Sequence, residues 1–167
     1  TNYLVSPSRV TTDTSGNIYV VDENHKSVTV LDPTGAQLFI IGGNDVPKSV
    51  AVDLQKRIIV GYRNDDQDGY AAIYDSSGQF LRYLGAGLGE FGLPGDIAVS
   101  YSTGKIFVLD SLRNGVKVYD SAGNNALNGQ GNPFHIGGFG QYDGILPTSN
   151  PGKFDFPSGV AVDDIRQ

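Results

Sequence analysis

The sequence predicts an all-β protein assembled from repeated four-stranded antiparallel units, and three observations predict it. The first is self-similarity: P-S-R-V-T-T-D (7–13), P-K-S-V-A-V-D (47–53), P-G-D-I-A-V-S (94–100) and P-S-G-V-A-V-D (157–163) align without gaps, their prolines 40, 47 and 63 residues apart. The second is strand texture. Runs of four to six residues rich in Val, Ile, Tyr and Phe are bounded by Gly, Asp, Asn or Pro, and no window carries a long 3.6-residue apolar period. The third is turn content: 23 glycines in 167 residues, without a collagen-like period, imply many tight turns and therefore many short strands.

The elements follow in the same order in every unit. The proline-led segment is the first strand. The second is N-I-Y-V-V-D (17–22), R-I-I-V-G-Y (57–62) and K-I-F-V-L-D (105–110). The third ends in an Asp-x-x-Gly turn: V-T-V-L-D-P-T-G (28–35), A-A-I-Y-D-S-S-G (71–78) and V-K-V-Y-D-S-A-G (116–123). There Asp accepts backbone hydrogen bonds and Gly takes the left-handed position. The fourth closes on glycine: Q-L-F-I-I-G-G (37–43), Q-F-L-R-Y-L-G (79–85) and, after an insertion, F-H-I-G-G (134–138). Four strands in roughly 40–50 residues, repeated, describe the blades of a β-propeller. Blades are expected at 7–46, 47–93 and 94–156, with 1–6 ending a preceding blade or linker and 157–167 opening a fourth.

The P-x-x-V-A-V-D segments, G-N-I-Y-V-V-D-E-N-H-K-S-V-T-V-L-D (16–32) and D-S-L-R-N-G-V-K-V-Y-D (110–120) resemble the NHL repeat family. The segments G-E-F-G-L-P (89–94) and G-K-F-D-F-P (152–157) match the joint between blades in that family. The resemblance implies a ring usually closed by six blades, of which this chain holds three and the opening strand of another. It implies little about function, since the family includes RNA binders, protein binders and a few enzymes. An incomplete ring leaves apolar blade faces uncovered, so the missing blades are expected from a longer chain or from a second copy. The sequence lacks methionine altogether, which points to a fragment or a processed product.

Net charge is −6, with no block of five or more like charges, which argues against a nucleic-acid backbone as partner. No apolar stretch approaches a membrane span. The absence of cysteine excludes disulfides, thiol catalysis and Cys-ligated zinc. Few basic residues, many small polar ones and no thiols lean towards an extracellular, cell-surface or periplasmic protein.

Three regions are candidate sites. The hairpin N-D-D-Q-D-G (64–69) is three residues longer than its counterparts, and Asn64, Asp66, Asp68, Tyr70 and Asp75 fall at calcium-loop spacing. The alternative is a solvated acidic hairpin. Arg9, Lys48, Asp96 and Ser158, which open the innermost strands, are expected near the mouth of the central channel, as ligand contacts or as ordinary loop ends. The insertion 124–156 holds ten glycines and prolines with Phe134, Phe139, Tyr142, Phe154 and Phe156, a partner surface or an aromatic plug between blades. His25 and His135 lack metal-ligand spacing and read as packing or turn residues. No catalytic residue can be nominated. The expected function is a non-catalytic scaffold binding a protein or carbohydrate partner, with calcium as the one cofactor considered. The alternative is a metal-dependent hydrolase or lyase whose axial site is shared with the missing blades.

Overall fold

A computed structural model describes residues 4–66, 68–136 and 154–164. It contains three four-stranded antiparallel sheets, each an up-and-down meander in chain order. Blade 1 comprises β1 (Pro7–Thr12), β2 (Ile18–Asp22), β3 (Ser27–Leu31) and β4 (Gln37–Gly42). Blade 2 comprises β5 (Val46–Val52), β6 (Ile58–Arg63), β7 (Gly69–Tyr74) and β8 (Phe80–Tyr83). Blade 3 comprises β9 (Pro94–Val99), β10 (Ile106–Asp110), β11 (Gly115–Tyr119) and the short β12 (His135–Ile136). The first strands lie innermost, with β5 packed between β1 and β9. The last strands form the rim, where Leu38, Ile40, Phe80, Leu81 and Tyr83 are exposed.

The Asp-x-x-Gly turns explain why the third and fourth strands pair as they do. Asp32 Oδ1 accepts hydrogen bonds from the Thr34 and Ala36 amides, Asp75 Oδ1 from Ser77 and Gln79, and Asp120 Oδ1 from Ala122 and Asn124. Gly35, Gly78 and Gly123 take φ of 87°, 83° and 84°, the left-handed geometry that ends each type I turn and returns the chain into the next strand.

The core consists of two inter-blade layers, and strand alternation assigns residues to them. On blade 2, Val50, Val52, Ile58, Val60, Tyr62, Tyr70 and Ala72 face blade 1, where they meet Tyr19, Val21, Val28, Val30 and Ile41. The alternate residues Ala51, Ile59, Ala71 and Ile73 face blade 3, against Phe91, Ile97, Ile106, Val108 and Tyr119. This two-sided burial is why blade 2 reads as nearly continuous apolar strands, whereas β1 is largely exposed, with Val10 66% accessible. At Gly61 the approach of the next blade is too close for a side chain: a Cβ would collide with the Ser49 hydroxyl and stand 2.9 Å from Pro94. Phe91, in the expected inter-blade joint, is fully buried, with the Lys117 ammonium 5.1 Å from its ring centroid.

The insertion after β11 begins as a small hairpin, with bridges Tyr119–Asn125 and Leu127–Pro133 and an Asn128-led turn, before β12. Phe139 and Tyr142 lie outside the described residues. Residues 157–164, expected as a strand, form no ladder among the described residues and instead lie along blade 3 through side-chain bonds. Asp96 Oδ2 accepts the Val160 amide at 2.9 Å, and Asp164 accepts the Ser100 hydroxyl at 2.7 Å and the Tyr101 amide at 2.6 Å. A strand is defined by backbone pairing, and each of these bonds uses a side chain instead.

Candidate functional site

Each innermost strand starts with a β-bulge. Register shifts between Pro7 and Arg9 and between Pro47 and Ser49, and the β9–β10 ladder skips Gly95, pairing Pro94 and Asp96 with consecutive residues. A bulge unpairs one residue and re-aims its side chain. A cavity of about 340 Å³ lies at the ends of the inner strands, lined by Lys48, Gly95 and Ser158, each directly after its proline, and by Arg9, one position further on. A second set completes the wall: Glu23, Arg63 and Ser111, each the first residue after the repeat's second-strand position occupied by Asp22, Tyr62 and Asp110. Phe156 and Pro157 supply an apolar edge.

Thus three of the four residues expected at the mouth, Arg9, Lys48 and Ser158, are brought together. Asp96 is not; its carboxylate holds the 157–164 segment. Glu23, Arg63 and Ser111 were not anticipated. Their signal was the repeat itself, in which one aligned position carries three different polar residues.

The electrostatics of the mouth are specific. The Lys48 ammonium lies 2.6 Å from Glu23 Oε2, both side chains being partly buried. Burial pushes the Glu23 carboxyl up, but the Lys48 hydrogen bond and the charges of Lys48 and Arg9 outweigh it and hold the group below the usual Glu value. Arg9 donates to two backbone carbonyls, Ser8 at 3.1 Å and, from the other side of the cavity, Ser158 at 3.5 Å.

The acidic hairpin closes on its own hydrogen bonds. The Asn64 side chain accepts the Asp68 amide at 2.8 Å, closing the turn, while Asp66 and Asp68 are exposed. The Tyr70 hydroxyl donates to Asp45 at 2.7 Å. Asp75 sits at the far end of β7, occupied by its own turn. His25 contacts the buried Asp22 carboxylate at 2.9 Å. His135 pairs with Lys117 in the sheet; partial burial and the nearby Lys117 charge hold its imidazole below the usual value.

Three stacked meanders with their first strands gathered on one axis decide the architecture. The chain folds as a segment of a β-propeller. Solved structures of the same shape agree: a chain of the nidogen/laminin complex matches with a TM-score of 0.72 at 15% identity, over 96% of this chain and 53% of that one. Hydrazine synthase from Kuenenia stuttgartiensis matches with 0.58 at 17% identity, over 75% of this chain and 36% of that one. A protein of unknown function from Bacteroides caccae matches with 0.52 at 13% identity, over 75% and 50% of the two chains. The segment thus matches between about a third and about half the length of these chains. At such identities the likeness concerns the fold alone. No family model matches the chain, and no curated protein does.

Proposed function

We propose that this propeller segment is a non-catalytic binding module, of the NHL type, that engages a protein partner at the mouth formed by its inner-strand ends. The observation that carries this reading is the mouth cavity, to which all three blades and the following segment each contribute polar side chains through repeat-related positions. Concave sites with a few convergent polar groups are where such folds place ligands. The nidogen/laminin complex supports a protein as the partner, since it shows a chain of this shape in a protein–protein assembly. The same reading keeps the module extracellular or periplasmic, on its cysteine-free, lysine-poor composition.

The test is selection of a displayed random peptide library on the immobilised protein, with Ser158→Trp as counter-target. Ser158 is exposed and lines the cavity, so an indole there obstructs the mouth without touching the core. Peptides that bind the native chain and fail on the variant support the reading. Enrichment of none, or equal binding to both proteins, would overturn it.

A further inference from the structure

We infer that the mouth is a carboxylate-binding site in which Arg9 is the principal contact. The inference rests on the binding-module reading for its biological setting, and its chemistry is an acidic side chain of a protein partner.

Charge is the first ground. The chain carries −6 overall, yet the cavity wall holds three cations, Arg9, Lys48 and Arg63, against one carboxylate, Glu23. The three cations converge here from two blades, Arg9 from blade 1 and Lys48 and Arg63 from blade 2. A concave, partly dry wall focuses that positive potential.

The second ground is the state of each charge. Lys48 and Glu23 neutralise one another at 2.6 Å. Glu23 thus already has its cation, in Lys48. Arg9 forms no ion pair among the described residues; its guanidinium bonds two neutral carbonyls, one of them at the long distance of 3.5 Å. A guanidinium presents five donors in a planar fork that fits a carboxylate with two parallel hydrogen bonds. Arg9 therefore keeps the donors and the charge that an incoming carboxylate needs, and Ser111 and Ser158 line the same cavity. A cavity of about 340 Å³ admits one acidic side chain or a small polycarboxylate.

The experiment is a ¹H–¹⁵N NMR titration of the native chain with citrate, against sodium chloride at matched ionic strength. The expected result is a saturable shift of the Arg9 Nε–H and of the Lys48, Gly95 and Ser111 amides with citrate only. Arg9→Ala should weaken binding by about tenfold or more, and Arg9→Lys, which keeps the charge and loses the fork, by a smaller factor. Lys105→Ala, an exposed cation outside the cavity, should leave binding unchanged. Shifts that chloride reproduces, or citrate affinity equal in the native and Arg9→Ala proteins, would overturn the inference. The two readings fail separately. Selected peptides that need an open mouth but carry no Asp or Glu would sink the carboxylate site and leave the binding module standing. Citrate bound at Arg9 with no peptide selected would do the reverse, pointing to a free small carboxylate as the ligand.

Discussion

Blades 1 and 3 solve one corner of the repeat with a buried carboxylate, and blade 2 solves the same corner with aromatic rings. At the end of β2, the fully buried Asp22 accepts the Val5 and Ser6 amides at 2.7 and 3.1 Å, the His25 amide at 3.2 Å, and contacts the His25 ring. At the end of β10, Asp110 does likewise for Gly92, Leu93 and Arg113, at 2.9, 3.1 and 3.1 Å. In both cases the segment entering the blade arrives with backbone N–H groups that the sheet does not pair, and the carboxylate satisfies them. In blade 2 the ladder itself crosses the corner: β5 starts at Val46, ahead of its proline, and pairs with Arg63 beyond the usual end of the second strand. At this corner the position held by Asp22 and Asp110 is Tyr62. Its ring stacks on Tyr70 at 5.1 Å and its hydroxyl meets that of Tyr74 at 2.9 Å, in a cluster continued by Tyr83 and Phe80. One backbone requirement thus has two chemical answers, and they should respond differently to mutation and to pH.

The largest effect is expected in the aromatic corner. Tyr62→Ala empties a core position between two blades and should cost about 3–5 kcal/mol, as truncations of buried aromatics do. Urea denaturation measures it; a loss of under about 1 kcal/mol would mean that the cluster collapses to fill the space. Next comes the carboxylate corner. Asp110→Ala strips three backbone donors of their acceptor and should cost about 2–3 kcal/mol by the same assay. A neutral result would show that water replaces the carboxylate, and the two corners would then be unequal in kind.

Much of the fold was readable in the sequence because turn chemistry and strand period agree in every repeat. Asp32, Asp75 and Asp120 mark the same turn, and the aligned prolines mark the same bulge. The mouth was readable only in part. Counting from proline located Arg9, Lys48 and Ser158, but Asp96, the counterpart of Arg9 in blade 3, turns to the Val160 amide, a contact that only the following segment supplies. Glu23 and Arg63 come from a second position whose role only the packing of one blade on the next defines.

Titration separates the two corners without a large perturbation. Burial alone would raise the Asp22 carboxyl, but the Val5, His25 and Ser6 hydrogen bonds lower it to about 2 in the folded chain. A folded-state value below the ordinary 3.8 means that the ionised clamp adds stability above pH 4, and that this is lost as pH falls towards 2. The amount is about 2 kcal/mol. Thermal melts from pH 5 to pH 2 should therefore show the gap between native and Asp22→Asn proteins narrowing. The gap for Tyr62→Ala should stay constant across the same range. A parallel narrowing in both would assign the acid sensitivity to the whole chain rather than to the clamp.

The smallest expected effect tests whether the blades are alike where their sequences agree. Asp32, Asp75 and Asp120 each bridge two amides of the same turn, and in the first two a hydroxyl from Thr34 or Ser77 joins them at 2.7 Å. The three aspartates are only half-buried, so water can replace much of what an alanine removes, although the Asp120 turn also docks on blade 2, where the buried Gly123 accepts the Gly85 amide. Each Asp→Ala change should lower the melting temperature by about 1–4 °C. If the turns act locally, the three decrements are equal and the triple variant shows their sum, because the sites are far apart and share no partners. The informative exception would be Asp75. It directly follows Tyr74, whose hydroxyl meets Tyr62, so slack in that turn has a route to the aromatic corner that neither other turn possesses. A larger decrement for Asp75→Ala that vanishes in a Tyr62→Phe background would show that blade 2 couples its rim to its core through the tyrosine pair.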